Sequence, residues 1–216
     1  MPKNSKKDSI QKKIVVVVFV EGDTEVEFYK KLINHLRALC GGRLTCEVKI
    51  HNLKGVGNYQ STAKRIFEKK IKQDYPASTY DYKVFLSYDT DVFEFARKPL
   101  VNWKSVISLL KTLGAKEVYE IQAKSSIEDW FLYDRNSIRA FLNISKNIDI
   151  SKCNGLSGLK SLFKNANKTY VKGLKSTELV DSLNMNVIFP KICCQIFTLC
   201  NAVGVDCNGK QCPVRR

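Results

Sequence analysis

Along the first 121 residues, segments whose apolar positions have the pattern of a buried strand alternate with segments whose apolar positions have helical spacing. Residues 14–20 form an unbroken apolar run, as in a central parallel strand buried on both faces. Residues 24–39 instead space their apolar side chains at helical intervals, which predicts a helix. The same patterns predict further strands at 45–52, 83–88 and 117–121, and further helices at 59–71 and 99–113. The order β-α-β-α-β-α-β predicts an α/β fold, a Rossmann-like parallel sheet flanked by helices.

The last third of the chain loses the strand pattern. Helical spacing recurs at 127–142, 158–170, 178–183 and 187–203, and no clear linker precedes these segments. We therefore predict three regions: a disordered basic arm (1–13), an α/β domain (14–135) and a helical C-terminal region packed on it (136–216).

Composition indicates where such a chain works. No apolar stretch reaches the ~20 residues that a membrane span needs, and the basic start lacks the apolar length and cleavage site of a signal peptide. We therefore expect a cytoplasmic protein whose eight cysteines are thiols. Cys193 and Cys200 are seven apart in a predicted helix, which favours buried packing. The cysteine spacing fits no paired zinc motif, although zinc at Cys207 and Cys212 stays open.

The charge balance favours a polyanionic partner. Lysine and arginine number 36 against 21 acids, a formal net charge of +15, and they are spread along the whole chain. Neutralisation of phosphates dominates nucleic-acid affinity, so this balance favours nucleic acid. An anionic membrane surface or an acidic protein would also attract it. The predicted helix at 59–71 and the residue after it include the stretch KRIFEKKIK, and its cations are candidates for phosphate contacts.

Acids crowd the end of the most hydrophobic predicted strand, in the stretch EGDTEVE. Thr24 to Glu27 fits a helix capping box, and Asp23 suits a helix N-terminus. Glu21 has no such structural explanation. It follows a buried strand at the carboxyl end, where open α/β sheets place their ligands.

Two further acidic motifs follow later predicted strands. Asp89 and Asp91 form a D-x-D, and two carboxylates so close would repel unless a hard cation such as Mg²⁺ or Mn²⁺ joined them. A loop pair that caps the next turn is the alternative. Ser126 and Glu128 form an S-x-E, and these residues taken alone are better explained as an ordinary helix N-terminus.

These three motifs together resemble the toprim domain, and more closely the toprim nucleases of the OLD and RloB-like, abortive-infection group. The resemblance covers about residues 14–135. Its motifs are Glu21 at the end of the first strand, extended to Glu25 as EGxxE, the D-x-D of Asp89 and Asp91, and the S-x-E of Ser126 and Glu128.

The resemblance implies a nuclease that cuts DNA or RNA, including tRNA, with two Mg²⁺ or Mn²⁺ ions. Glu21, Asp89, Ser126 and Glu128 would hold one ion, and Glu25, Asp89 and Asp91 the other. A downstream lysine would offset transition-state charge; Lys172 is the first choice and Lys175 the second. The resemblance also implies an anti-phage effector that works with a separate ATPase or sensor protein.

Two other functions are open. VFLSYDTDV resembles the motif of haloacid-dehalogenase-type phosphatases, with Asp89 as nucleophile and Asp91 as acid. That interpretation leaves Glu21 and Glu25 without a role, and two predicted strands precede the motif. The other alternative is a toprim-like module that binds nucleic acid without catalysis.

Overall fold

The computed structural model describes residues 11–90, 101–123, 126–172, 174 and 176–206. Within them, four parallel strands form one sheet in the order β2-β1-β3-β4. The strands are β1 (Lys13–Val20), β2 (Glu47–Asn52), β3 (Tyr80–Asp89) and β4 (Ala115–Ala123). The prediction of an α/β fold with a parallel sheet is confirmed.

Helices connect the strands and make up the C-terminal half. The connecting helices are α1 (Asp23–Leu39), α2 (Tyr59–Ile66) and α3 (Trp103–Thr112). After β4 come α4 (Ile127–Phe131), α5 (Arg135–Leu142), α6 (Gly155–Asn165), α7 (Thr177–Ser182), α8 (Met185–Ile192) and α9 (Phe197–Ala202). In the described part of the chain, none of the helices has the length and apolarity needed to cross a membrane.

The sheet separates two hydrophobic cores, which explains the unbroken apolar run of β1. Val16 and Val18 point into one core, together with α1 and apolar residues of the C-terminal helices. Val15 and Val17 point into the other core, against α2 and α3. All four valines are fully buried. The helical C-terminal half therefore packs on one face of the same sheet.

Three predicted helices are interrupted. The helix at 59–71 turns into a π-helix over Phe67–Ile71 and then continues through Lys72–Asp74. The segment 127–142 divides into α4, a 3-10 turn (Leu132–Asp134) and α5. The segment 187–203 divides into α8 and α9. Pro190 lies inside α8, where it lacks a backbone donor.

One cysteine departs from our prediction. Cys40, Cys46, Cys153, Cys193 and Cys200 are thiols and not disulfides, and Cys193 and Cys200 are buried in the core as expected. Cys194, however, is disulfide-bonded, so the expectation that every cysteine is a thiol was wrong there. Cys207 and Cys212, the open zinc candidates, lie outside the described residues.

Candidate active site at the carboxyl edge of the sheet

The order of the strands creates a crevice between the ends of β1 and β3. From β1 the chain crosses to β2 through α1 on one face of the sheet. The connection from β2 to β3 uses α2 on the opposite face. Such a reversal is where open α/β sheets bind ligands, beyond the carboxyl ends of the strands. Glu21 directly follows β1, and Asp89 is the last residue of β3.

Glu21 and Asp89 meet across this crevice. The backbone N–H of Asp89 donates to Oε1 of Glu21 at 3.1 Å. The loop after β2 supports Glu21 from the other side, since the N–H of Gly55 donates to the carbonyl of Glu21 at 2.8 Å. Gly55 has φ = 108°, a conformation that suits a residue without Cβ. The end of β1 is thus fixed to both neighbouring strands.

Asp89 is the most fully engaged acid of the site. Its side chain is buried, with only 3% of the residue exposed. Oδ1 accepts a hydrogen bond of 2.8 Å from the N–H of Ile127, the first residue of α4. Oδ2 lies 2.7 Å from Nζ of Lys172. Asp89 therefore joins the end of β3 to both α4 and the segment that follows α6.

Glu25 lies in the first turn of α1 and is almost as deeply buried. Burial raises its pKa to about 8, with further contributions from the negative charges of Asp89, Glu128 and Glu21. Its Oε2 is buried without a hydrogen-bond partner. An isolated carboxylate in such surroundings is costly, so this oxygen is a candidate to bind a proton or a cation.

Glu128 and Ser126 approach from the start of α4. Glu128 is 1% exposed, and its Oε1 accepts a hydrogen bond of 3.0 Å from the hydroxyl of Tyr170. Burial, followed by the charge of Glu128, raises the pKa of Tyr170 well above its usual value, so the tyrosine stays a donor. Oε2 of Glu128 is buried without a hydrogen-bond partner. The expected helix N-terminus is present, with Ser126 as its N-cap.

The donor set suits a hard divalent cation in its chemistry. Carboxylate and hydroxyl oxygens are the ligands of Mg²⁺ and Mn²⁺, and Glu25 and Glu128 each present a buried oxygen without a hydrogen bond. Among the residues that the structure describes, however, no three His, Cys, Asp or Glu side chains form a group ready to hold a metal ion. The Lys172 ammonium supplies positive charge to Asp89 instead.

The structure collects most of the predicted site residues at one edge. Contacts or electrostatic interactions link Glu21, Glu25, Asp89, Glu128 and Lys172. Asp91 and Lys175 lie outside the described residues. The predicted capping box at Thr24 was wrong, because Gly22 is the N-cap and Thr24 lies inside α1.

Two contacts at the candidate site were missed from the sequence. The Thr24 hydroxyl donates to the carbonyl of Leu174 at 2.5 Å, and Tyr170 binds Glu128. Tyr170 stands two positions before Lys172, a spacing that would direct both side chains to the same side of an extended backbone. That spacing was the available signal for Tyr170, whereas the contact of Thr24 with a backbone carbonyl has no sequence signal.

Comparison with known proteins identifies no relative of this chain. No protein-family model, no curated protein and no solved structure matches the chain significantly.

Proposed function

We propose that this protein is a metal-dependent phosphodiesterase that cuts nucleic acid at the carboxyl edge of its sheet. The observation that supports this most directly is the buried acidic cluster at the crevice between β1 and β3. Glu25 and Glu128 each leave one buried oxygen without a hydrogen bond. Asp89 is hydrogen-bonded to Glu21, and the charges of Asp89, Glu128 and Glu21 all act on Glu25. Buried carboxylates of this kind need a compensating charge, which bound metal ions would provide.

The chain's own residues have distinct tasks in this proposal. Glu21, Glu25, Asp89, Ser126 and Glu128 would hold two Mg²⁺ or Mn²⁺ ions, with Asp91 as a further ligand. Such ions supply a water nucleophile at neutral pH and offset the charge on the leaving oxygen. Ile127 and Tyr170 orient Asp89 and Glu128 through their hydrogen bonds. Residues that surround a metal site typically orient its ligands through hydrogen bonds of this kind.

Lys172 has two states in this proposal. In the structure it neutralises Asp89, and a metal at Oδ2 would compete with the ammonium for that oxygen. When a phosphodiester is bound, the same ammonium is close enough to the site to offset negative charge that develops at phosphorus. The net charge of +15 supports a polyanionic substrate. The anti-phage role and the separate ATPase partner belong to the same proposal.

A cleavage assay tests the proposal. Purified full-length protein is incubated with plasmid DNA, single-stranded DNA and total RNA, with Mg²⁺, Mn²⁺ or EDTA. We expect cleavage with a divalent cation, none with EDTA, and at least a hundredfold loss for Asp89→Asn and for Glu21→Gln. Lys116→Gln is the control, because Lys116 pairs with Asp81 near the opposite edge. Activity of Asp89→Asn equal to that of the unaltered protein would contradict the proposal.

The same variants separate a nuclease from a phosphatase. A phosphatase of the aspartyl type forms a covalent phosphoryl-aspartate on Asp89, whereas the nuclease uses water. Oδ1 of Asp89 accepts from Ile127 and Oδ2 pairs with Lys172, and these contacts are compatible with either role. Mass spectrometry after incubation with a phosphomonoester decides the matter, and a phosphorylated Asp89 would overturn the nuclease proposal.

A further inference from the structure

An aromatic cavity lies beside the proposed active site. It has a volume of about 230 Å³ and is formed by α5, α6, the segment after α6 and α7. Three aromatic residues line it: Phe141, which is half-buried, and Phe163 and Tyr170, which are 7% and 4% exposed. Phe163 lies between the other two, with ring centroids 6.2 Å from Phe141 and 5.2 Å from Tyr170. The volume is below the ~300–1,000 Å³ of pockets for drug-sized ligands, so the cavity suits a single small ring system.

Tyr170 connects this cavity to the acidic cluster. Tyr170 lines the cavity, and its hydroxyl donates to Oε1 of Glu128 at 3.0 Å. Two positions further along the chain, Lys172 contacts Asp89. A group in the cavity is thus separated from the proposed catalytic carboxylates by one tyrosine side chain. A ligand that spans both places needs a planar apolar part and an anionic part next to it.

The rim of the cavity supplies polar and cationic groups. Thr169, Ser176 and Glu178 line it and offer hydroxyl and carboxylate partners. The ammonium of Lys168 lies 5.1 Å from the centre of the Phe141 ring, which places a cation beside the aromatic wall. Val171 and Leu174 also line the cavity and are 47% and 61% exposed. Apolar side chains exposed together at one cavity mark a binding surface more often than single ones do.

We infer that this cavity binds an unstacked nucleobase of a single-stranded nucleic acid, next to the phosphate that meets the carboxylates. This inference rests on the proposed function and narrows its substrate to single strands, loops or flipped-out nucleotides. Aromatic side chains that stack on bases, with lysines along the backbone, are the usual way of binding single strands. A paired base in a duplex cannot enter such a cavity without leaving the stack.

A binding experiment without metal tests the inference separately from catalysis. Fluorescence anisotropy in EDTA measures the affinity of the full chain for a labelled single strand and for the same strand with abasic sites. We expect the intact strand to bind about tenfold more tightly. Phe141→Ala should remove most of that difference, and Phe197→Ala should not, because Phe197 is an exposed aromatic residue outside the cavity.

A second variant guards against loss of folding. Thr169 is exposed and lines the cavity, so Thr169→Trp should fill it without disturbing the core, and should weaken the intact strand but not the abasic one. Equal affinity of the unaltered protein for both strands would overturn the inference, as would an equal loss for both strands in Phe141→Ala. Base-dependent binding without cleavage under any metal would support base binding in the cavity and contradict the nuclease proposal. Cleavage with base-independent binding would support the nuclease proposal and contradict base binding in the cavity.

Discussion

The ammonium of Lys172 lies 2.7 Å from Oδ2 of Asp89, and this ion pair ties the helical C-terminal half to the end of β3. Asp89 is 3% exposed, so its charge depends on the groups around it. Removing one member of a buried pair leaves an uncompensated charge, which costs more than the pair itself contributes. Lys172 is therefore a structural partner of Asp89 as well as a proposed catalytic group.

A double-mutant cycle measures this coupling. We expect Lys172→Met to lower the free energy of unfolding by about 2 kcal/mol in urea titrations with EDTA, less than for a fully buried pair because the Lys172 side chain is 27% exposed. The double variant with Asp89→Asn should lose at least about 1 kcal/mol less than the sum of the single losses.

The exposed ion pair between Lys116 and Asp81 is the matched control for this cycle. Its atoms lie 2.9 Å apart, close to the separation in the buried pair, but the Lys116 side chain is 61% exposed. Water screens such a pair, so Lys116→Met should change stability little. Additive losses for Lys172→Met and Asp89→Asn would show that the two side chains do not interact in solution.

Tyr170→Phe tests the support of Glu128. The variant keeps the ring and removes the hydroxyl that donates to Oε1 of Glu128. Glu128 is 1% exposed, so a lost donor there should cost about 1–2 kcal/mol of unfolding free energy.

The control for this variant is Tyr119→Phe, which removes a hydrogen bond of 2.9 Å to Glu117 on the partly exposed surface of β4. Thermal unfolding in EDTA compares the two variants. Equal small losses of stability in both variants would mean that the hydrogen bond from Tyr170 does not stabilise Glu128. Another donor or a bound water would then replace the Tyr170 hydroxyl.

The fold was predictable because its strands have local signals. β1 is buried on both faces, and its continuous apolar run shows that directly. The acidic residues at the ends of β1 and β3 likewise identified Glu21 and Asp89 as candidate site residues. The contact of Tyr170 with Glu128 was not predictable, because it depends on how the segment after α6 crosses the sheet edge. The division of the segment 187–203 depends similarly on tertiary packing, although Pro190 was a local sign of it.

His51 gives the protein an acid-sensitive position on β2, where it pairs with Phe19 of β1. Its Nε2 is buried without a hydrogen-bond partner. Burial, together with the positive charges of Lys70 and Lys49, lowers its pKa to about 4. A histidine with a depressed pKa in the folded state takes up its proton more readily when unfolded, so stability falls as the pH drops below about 6.5 towards 4.

Replacing this side chain should remove that part of the pH dependence. Between pH 7 and pH 5 we expect the unaltered protein to lose about 1 kcal/mol more unfolding free energy than His51→Gln, after allowance for solvent screening of a half-buried group. Urea titrations of both proteins at the two pH values give the difference, and a difference near zero would mean that His51 is solvated in the native state. Carboxylates titrate in both proteins and cancel from the comparison.

The basic helix has one end near the proposed site and one far from it. α2 begins at Tyr59, whose hydroxyl donates to the carbonyl of Ser87 near the end of β3. The helical segment ends near Lys72, which donates to the carbonyl of Leu113 just before β4 begins, at the opposite edge. The cations along this helix therefore differ in their distance from the acids.

Charge reversal of two pairs of cations, one nearer to Tyr59 and one further from it, tests which part of this helix contacts the substrate. Lys64 and Arg65 are exposed in the middle of the helical segment, and Lys69 and Lys70 are exposed towards the far edge. At ~1.5 Å per residue, the second pair lies about 8 Å further from Tyr59 than the first. If nucleic acid reaches the site along this face, Lys64→Glu with Arg65→Glu should weaken binding more than Lys69→Glu with Lys70→Glu.

The salt dependence of affinity separates phosphate contacts from general attraction. Each lost phosphate contact should reduce the slope of log affinity against log salt by about one unit, so the first double variant should lose up to about two units. Thermal melting should barely change, because all four side chains are solvated. Anisotropy titrations of a long nucleic acid at several salt concentrations provide the slopes. Unchanged slopes in both double variants would place the binding face elsewhere, with Lys160, Lys164 and Lys168 of the C-terminal half as the next candidates, because the last of these already stands beside the aromatic cavity.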